Sequence, residues 1–190
     1  MIYDIIEKNG PMGSMLDVVS ENYVWEKPED GTNALVWTDA EELMVNMAET
    51  LVDKRAIGLA AIQVGIPYRV MVVGNPDDPD SIMCFFNPKV THQEHELSIM
   101  TEGCLSFPDM YVKIRRPNLI RIRYQDVKGE WGSASFSGLT AHCVLHEIDH
   151  MDGITFDKRA VKYHWEKARK KIKKFRRLKE KSLAQRELSV

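Results

Sequence analysis

Along residues 39–52 the apolar side chains Leu43, Met47 and Leu51 recur every four positions among polar neighbours, which predicts an amphipathic helix with Thr38 or Asp39 as its N-cap. A different rhythm follows. Short runs rich in Val, Ile and aromatic residues at 68–73, 82–90, 110–114, 119–124 and 132–136 are bounded by clusters such as Asn75-Pro-Asp-Asp-Pro-Asp80 and Asp126-Val-Lys-Gly129. They predict strands of a largely antiparallel sheet. The helical pattern returns at 139–151, with Leu139, Val144, Leu145 and Ile148 apolar and Asp152-Gly153 as a natural stop. Beyond Phe156, the residues Val161, Trp165, Ala168, Ile172 and Phe175 mark an amphipathic helix in a basic sequence. The fold class expected is α+β: mostly antiparallel sheets packed around the central helix at 139–151, with an N-terminal helix and a C-terminal amphipathic helix. No repeat and no long linker divides the 190 residues. A single domain over 1–190, with 161–190 a basic C-terminal helix, is therefore predicted.

Composition narrows the class. At 44% hydrophobic and 28% charged residues, the chain has ordinary globular usage, which excludes a disordered or fibrous protein. No stretch approaches the roughly 20 apolar residues of a membrane span, and the start, Met1-Ile-Tyr-Asp-Ile-Ile-Glu-Lys8, lacks a basic region followed by an apolar run. A cytoplasmic protein without a membrane partner is predicted. Cys84, Cys104 and Cys143 are too few and too odd in number for a disulfide framework, which leaves them as thiols or ligands. The net charge of -2 conceals an asymmetry: residues 161–190 hold 12 Lys and Arg against 3 Glu, so the tail carries +9 and the remainder -11. Such a tail implies its own partner.

The chemistry concentrates in His146-Glu-Ile-Asp-His150. Two imidazoles four residues apart lie on one helical face, where both can reach one metal ion, and Glu147 projects beside them. Four ionisable groups in five positions of an otherwise apolar helix call for a use. Hydrolytic sites of this kind keep three protein ligands and one open position, so a third donor is needed. Glu166 lies downstream, but on the basic tail helix. Cys104, in Thr101-Glu-Gly-Cys-Leu-Ser-Phe-Pro108, follows a glycine that permits close backbone approach, and its thiolate suits zinc or ferrous iron. The plainer alternatives are a polar helix face with two incidental histidines and a cysteine acting as a small buried hydrophobe. His92 and His95, in the polar stretch Thr91-His-Gln-Glu-His-Glu96, read as a solvated pair.

Three segments in order, Gly58-Leu-Ala-Ala-Ile-Gln63, Glu102-Gly-Cys-Leu-Ser106 and His146-Glu-Ile-Asp-His150, resemble the signature motifs of peptide deformylases. The resemblance implies a metallohydrolase that removes the formyl group from the N-terminal formylmethionine of nascent polypeptides and releases formate. It implies Cys104, His146 and His150 as ligands of one divalent metal ion, Fe2+ natively, with Zn2+, Ni2+ or Co2+ able to occupy the site. Glu147 would be the general base and then the acid. The Gln63 side chain and the Leu105 backbone N–H would stabilise the oxyanion.

Matching positions further imply Ile57, Gly58, Met100, Leu139, His142 and Cys143 as walls of the methionine pocket. Glu102 and Arg116 resemble a structural ion pair, with Asp149 steadying the helix or a ligand. His142 departs from the family, which usually has an aliphatic residue there; the ring either narrows or polarises the pocket, or turns outward. Ala56 stands where the family most often has Gly, and Leu145 where it usually has Gln. The basic C-terminal helix suggests contact with ribosomal RNA. Two rival readings remain at this stage: a zinc endopeptidase using Glu166, and a ribosome-binding protein with a vestigial site.

Overall fold

The computed structural model describes residues 1–29 and 36–187. Helix α1 spans Ala40–Asp53. Its N-cap is Asp39, whose Oδ1 accepts from the backbone N–H groups of Glu41 at 2.9 Å and Glu42 at 3.4 Å. The acidic pair Glu41 and Glu42 in the first turn complements the helix dipole.

Among the described residues seven strands follow: β1 Gly58–Ala60, β2 Val70–Asn75, β3 Asp78–Gln93, β4 Leu97–Gly103, β5 Tyr111–Pro117, β6 Leu119–Gln125 and β7 Trp131–Ser137. Each ladder between these strands is antiparallel. The order β1-β2-β3-β6-β7 makes one sheet, and β4 with β5 forms a separate hairpin. Helix α2, Gly138–Met151, packs on the large sheet and also meets the hairpin. A short helix α3, Phe156–Arg159, leads to the long helix α4, Lys162–Glu187.

Two apolar clusters lie on the two faces of the large sheet. Met71, Phe85, Ile120 and Ile122 join Val144, Ile148 and Met151 of α2. Val70, Val72 and Phe86 join Leu43, Met47 and Leu51 of α1. Strand β2 contributes alternate residues to both, which explains its unbroken apolar run. A third cluster binds the hairpin to α4 through Phe107, Phe156 and Trp165, whose rings meet edge to face with centroids 4.6–6.1 Å apart. Helix α4 buries Ala168 against the body, but residues 173–179 are exposed.

The antiparallel sheets, central helix and flanking helices expected from the sequence are all present. Two strands escape the sequence pattern. Strand β1 is only three residues long. In β4 the outward residues are Leu97 and Ile99, whereas Ser98 and Glu102 face inward, so the hydrophobic alternation is reversed. Residues 188–190 of the predicted basic tail lie outside the described residues. Among the described residues no helix is long and apolar enough to cross a membrane.

Candidate metal centre

Helix α2 ends where Gly153 adopts φ 68°, a left-handed turn in which a Cβ would stand 2.6 Å from the Asp17 carbonyl oxygen. This stop fixes the last turns of α2, which carry His146, Glu147 and His150, all buried. The end of β4 brings Cys104 against them, held in a turn where the Phe107 N–H donates to the Cys104 carbonyl at 3.0 Å. Ligand atoms of Cys104, His146 and His150 lie within 4.8 Å of one another, and Cys104 Sγ is 3.2 Å from His150 Nε2. Among the described residues this is the grouping that can hold a metal ion. Glu166 is exposed on α4 and lines a different groove. The endopeptidase reading fails on that placement.

One carboxylate organises the histidines. Glu102 accepts from Arg116 Nε at 2.6 Å and Nη2 at 3.0 Å, and lies 3.0 Å from His146 Nδ1 and 3.1 Å from His142 Nδ1. Burial pushes the Glu102 carboxyl up, but the bonds from His146 and Arg116 outweigh it and hold the group at about 2. An ionised carboxylate only accepts, so His146 carries its proton on Nδ1 and turns Nε2 toward Cys104. Arg116 reaches on to Asp149 Oδ2 at 2.7 Å, and Asp149 receives Arg159 at 2.6 and 3.0 Å. The ion pair and the buttressing aspartate expected from the sequence are thus one chain of charges; Arg159 was not foreseen.

The donor set fits a divalent cation. Burial drives His150 well below the ordinary imidazole range, leaving it neutral as a ligand must be. For His146 burial also opposes charge, yet the Cys104 sulfur and Glu102 raise it well above its ordinary value. A field that favours a proton there favours a metal cation in its place. A thiolate with two imidazoles suits zinc or ferrous iron.

Around these donors lies a cavity of about 460 Å³. Ile57, Gly58, Met100, Leu139, His142 and Cys143 line it, as do Glu147, Gln63 and Leu105. Glu147 is 3% exposed, its Oε2 has no hydrogen-bond partner among the described residues, and burial lifts its carboxyl to about 7. Gln63 Oε1 accepts from the Ala60 N–H at 2.9 Å, which fixes the amide so that Nε2 faces Ser106 Oγ at 3.2 Å and Cys104 Sγ at 3.7 Å. The Leu105 N–H has no partner among the described residues. Gly58 stands so close to α2 that a Cβ would fall 2.5 Å from both Cys143 Sγ and Glu147 Oε1. His142 turns inward: it is 1% exposed, bonded to Glu102 and, through Nε2, to Ser98 Oγ at 2.8 Å. Ser98 lies outside every motif and carries no signal that sequence reasoning could have used, whereas Ser106 closes the Glu102-Gly-Cys-Leu-Ser106 segment.

Residues 21–165 match the family model for polypeptide deformylase. Relatives named peptide deformylase include one from Novosphingobium aromaticivorans, 37% identical over 160 residues that cover 73% of this chain and 85% of that protein. Another, from Psychrobacter arcticus, is 39% identical over 146 residues, covering 77% of this chain and 79% of that one. The crystal structure of a peptide deformylase from Legionella pneumophila superposes with a TM-score of 0.78 at 28% identity, over 95% of this chain and 98% of that chain. With the family model spanning most of its length and such relatives on either side, the chain belongs to the polypeptide deformylases, metal-dependent hydrolases that remove the formyl group from the N-terminal formylmethionine of nascent polypeptides.

Proposed function

We propose that Cys104, His146 and His150 hold the metal, that Glu147 moves the protons, and that Gln63 and Leu105 stabilise the oxyanion. The observation carrying this reading is the buried Glu147 carboxyl, whose Oε2 has no hydrogen-bond partner among the described residues, beside three donor atoms within 4.8 Å of one another. A bound divalent cation supplies Lewis acidity, lowering the pKa of water and polarising the formyl oxygen. Glu147 takes a proton from the attacking water. It then delivers that proton to the amine nitrogen as the formyl C–N bond breaks, so that formate and a free amino terminus leave together. The Gln63 Nε2–H and Leu105 N–H point donors at the developing oxyanion, each worth roughly 3 kcal/mol of barrier. Ile57, Gly58, Met100, Leu139, His142 and Cys143 receive the methionine side chain.

The thiolate-imidazole donor set supports Fe2+ as the native metal, with Zn2+, Ni2+ or Co2+ able to take its place. Two core clusters sharing one sheet, and a third joining the hairpin to α4, support reading 1–190 as one catalytic unit. Exposed Lys173, Lys174, Arg176 and Arg177 on α4 support ribosome contact in the cytoplasm. The test is metal analysis of anaerobically purified protein, paired with formate release from a formyl-Met peptide. Cys104→Ala should lose both metal and formate release, whereas Glu166→Ala should keep both. Metal retained at full occupancy by Cys104→Ala would remove the ligand assignment.

A further inference from the structure

On β4 the residues Ser98, Met100 and Glu102 alternate onto the face turned toward α2. The His142 ring bonds the first and third of them: Nε2 lies 2.8 Å from Ser98 Oγ, and Nδ1 lies 3.1 Å from Glu102 Oε1. Between these two attachments sits Met100, a wall of the cavity. Strand β4 needs such attachment, because among the described residues its one pairing partner is β5 and the hairpin is separate from the large sheet.

The bond at the Glu102 end is shared with His146 and Arg116, so it is pinned by the metal centre. At the Ser98 end, His142 is a direct side-chain tether from β4 to α2. Both ring nitrogens are engaged, so the buried ring offers the cavity no unpaired polar atom.

We propose that His142 is a specificity-determining residue: by clasping Ser98 and Glu102 on either side of Met100, it fixes the spacing between β4 and α2, and with it the width of the side-chain pocket. This rests on the reading that the cavity receives the methionine side chain. A pocket of fixed width favours an unbranched side chain over a branched one of similar volume. Discrimination at the level of a single methyl group is worth about 10- to 200-fold when the walls hold. Freeing one end of the clasp forfeits part of that factor and leaves the metal ligands and Glu147 in place.

Ser98 tests this without touching the metal centre, since its hydroxyl bonds the far nitrogen of His142. In the metal-loaded enzyme, the ratio of kcat/KM for formyl-Met over formyl-Leu peptides should fall by about three- to tenfold in Ser98→Ala, and the change should reside in KM. Ser98→Thr, which keeps the hydroxyl, should restore the ratio, and metal content should stay constant across the series. His142→Leu should lower the same ratio more. An unchanged ratio in Ser98→Ala, or an equal loss on both substrates, would overturn the proposal while leaving the pocket assignment standing. Equal turnover of formyl-Met and formyl-Leu by the unaltered enzyme would instead refute the pocket assignment, and the proposal with it.

Discussion

Substituting Gly58 by Ala gives the sharpest test of the packing that holds Glu147. The new methyl carbon would lie 2.5 Å from Glu147 Oε1 and 2.5 Å from Cys143 Sγ, and 3.1 Å from Glu147 Cδ. Ordinary carbon contacts begin near 3.4 Å, so one side must yield by roughly 1 Å. Strand β1 cannot simply retreat, because Gly58 pairs with Val73 in the ladder to β2. Nor has α2 room to move, since Val144 and Ile148 are locked in the sheet's core. The compliant groups are the Cys143 and Glu147 side chains, and both must shift. Overpacking of this kind costs about 1–3 kcal/mol, and a displacement near 1 Å at a reacting group costs on the order of 100-fold in rate. Formate release from a formyl-Met peptide should therefore fall about 100-fold, and Tm should drop by roughly 2–4 °C per kcal/mol lost. Bound metal should be unaffected, because neither overlap involves Cys104, His146 or His150. If Gly58→Ala keeps kcat/KM within about threefold of the unaltered enzyme, Glu147 is not held where the structure shows it, and the reasoning fails.

Other changes separate the parts of the site. Glu147→Gln should bind metal normally while kcat falls by about 100- to 10,000-fold, read by metal analysis beside single-turnover formate release. Arg116→Met strips buried Glu102 of its guanidinium partner and Asp149 of one of its two arginines, and should destabilise the fold by about 3–5 kcal/mol in denaturant titrations. Removing residues 173–187 should preserve Tm and deformylation but abolish salt-sensitive cosedimentation with ribosomes; undiminished cosedimentation would exclude α4 as the contact. Asp17 is held below its ordinary 3.8 by hydrogen bonds from Lys158 and Lys8. Its contribution to stability is thus present above that value and lost as pH falls through the lower, folded-state value. The Tm deficit of Asp17→Asn at neutral pH should shrink progressively below about pH 4 in scanning calorimetry.

Helices α1 and α2 were legible in the sequence because their apolar residues keep helical spacing and their ends carry Asp39 and Gly153. The candidate metal-binding group was legible through two spaced histidines and a cysteine in a distinctive loop. Strand β4 was not, since its inward positions serve the site: Ser98 and Glu102 take places where a core strand would put Val or Ile. His142 was ambiguous for a related reason. A histidine's preference for burial depends on its partners, and both partners come from a strand some forty residues away in sequence. Arg159 could not be assigned either, because its role exists only once α3 has folded back against Asp149.

The bonded run from His146 through Glu102, Arg116 and Asp149 to the half-exposed Arg159 also constrains how this protein can change. Each interior member bonds two neighbours, so replacing Glu102, Arg116 or Asp149 alone strands a charge away from water, whereas replacing a matched set need not. Single-site drift along this line is therefore closed to the lineage, and the positions should travel together through evolution as a block. An engineer grafting the centre onto another scaffold inherits the same condition: the three candidate donors are not portable without the ion pairs behind them, and libraries that vary these positions one at a time should return little but the starting sequence.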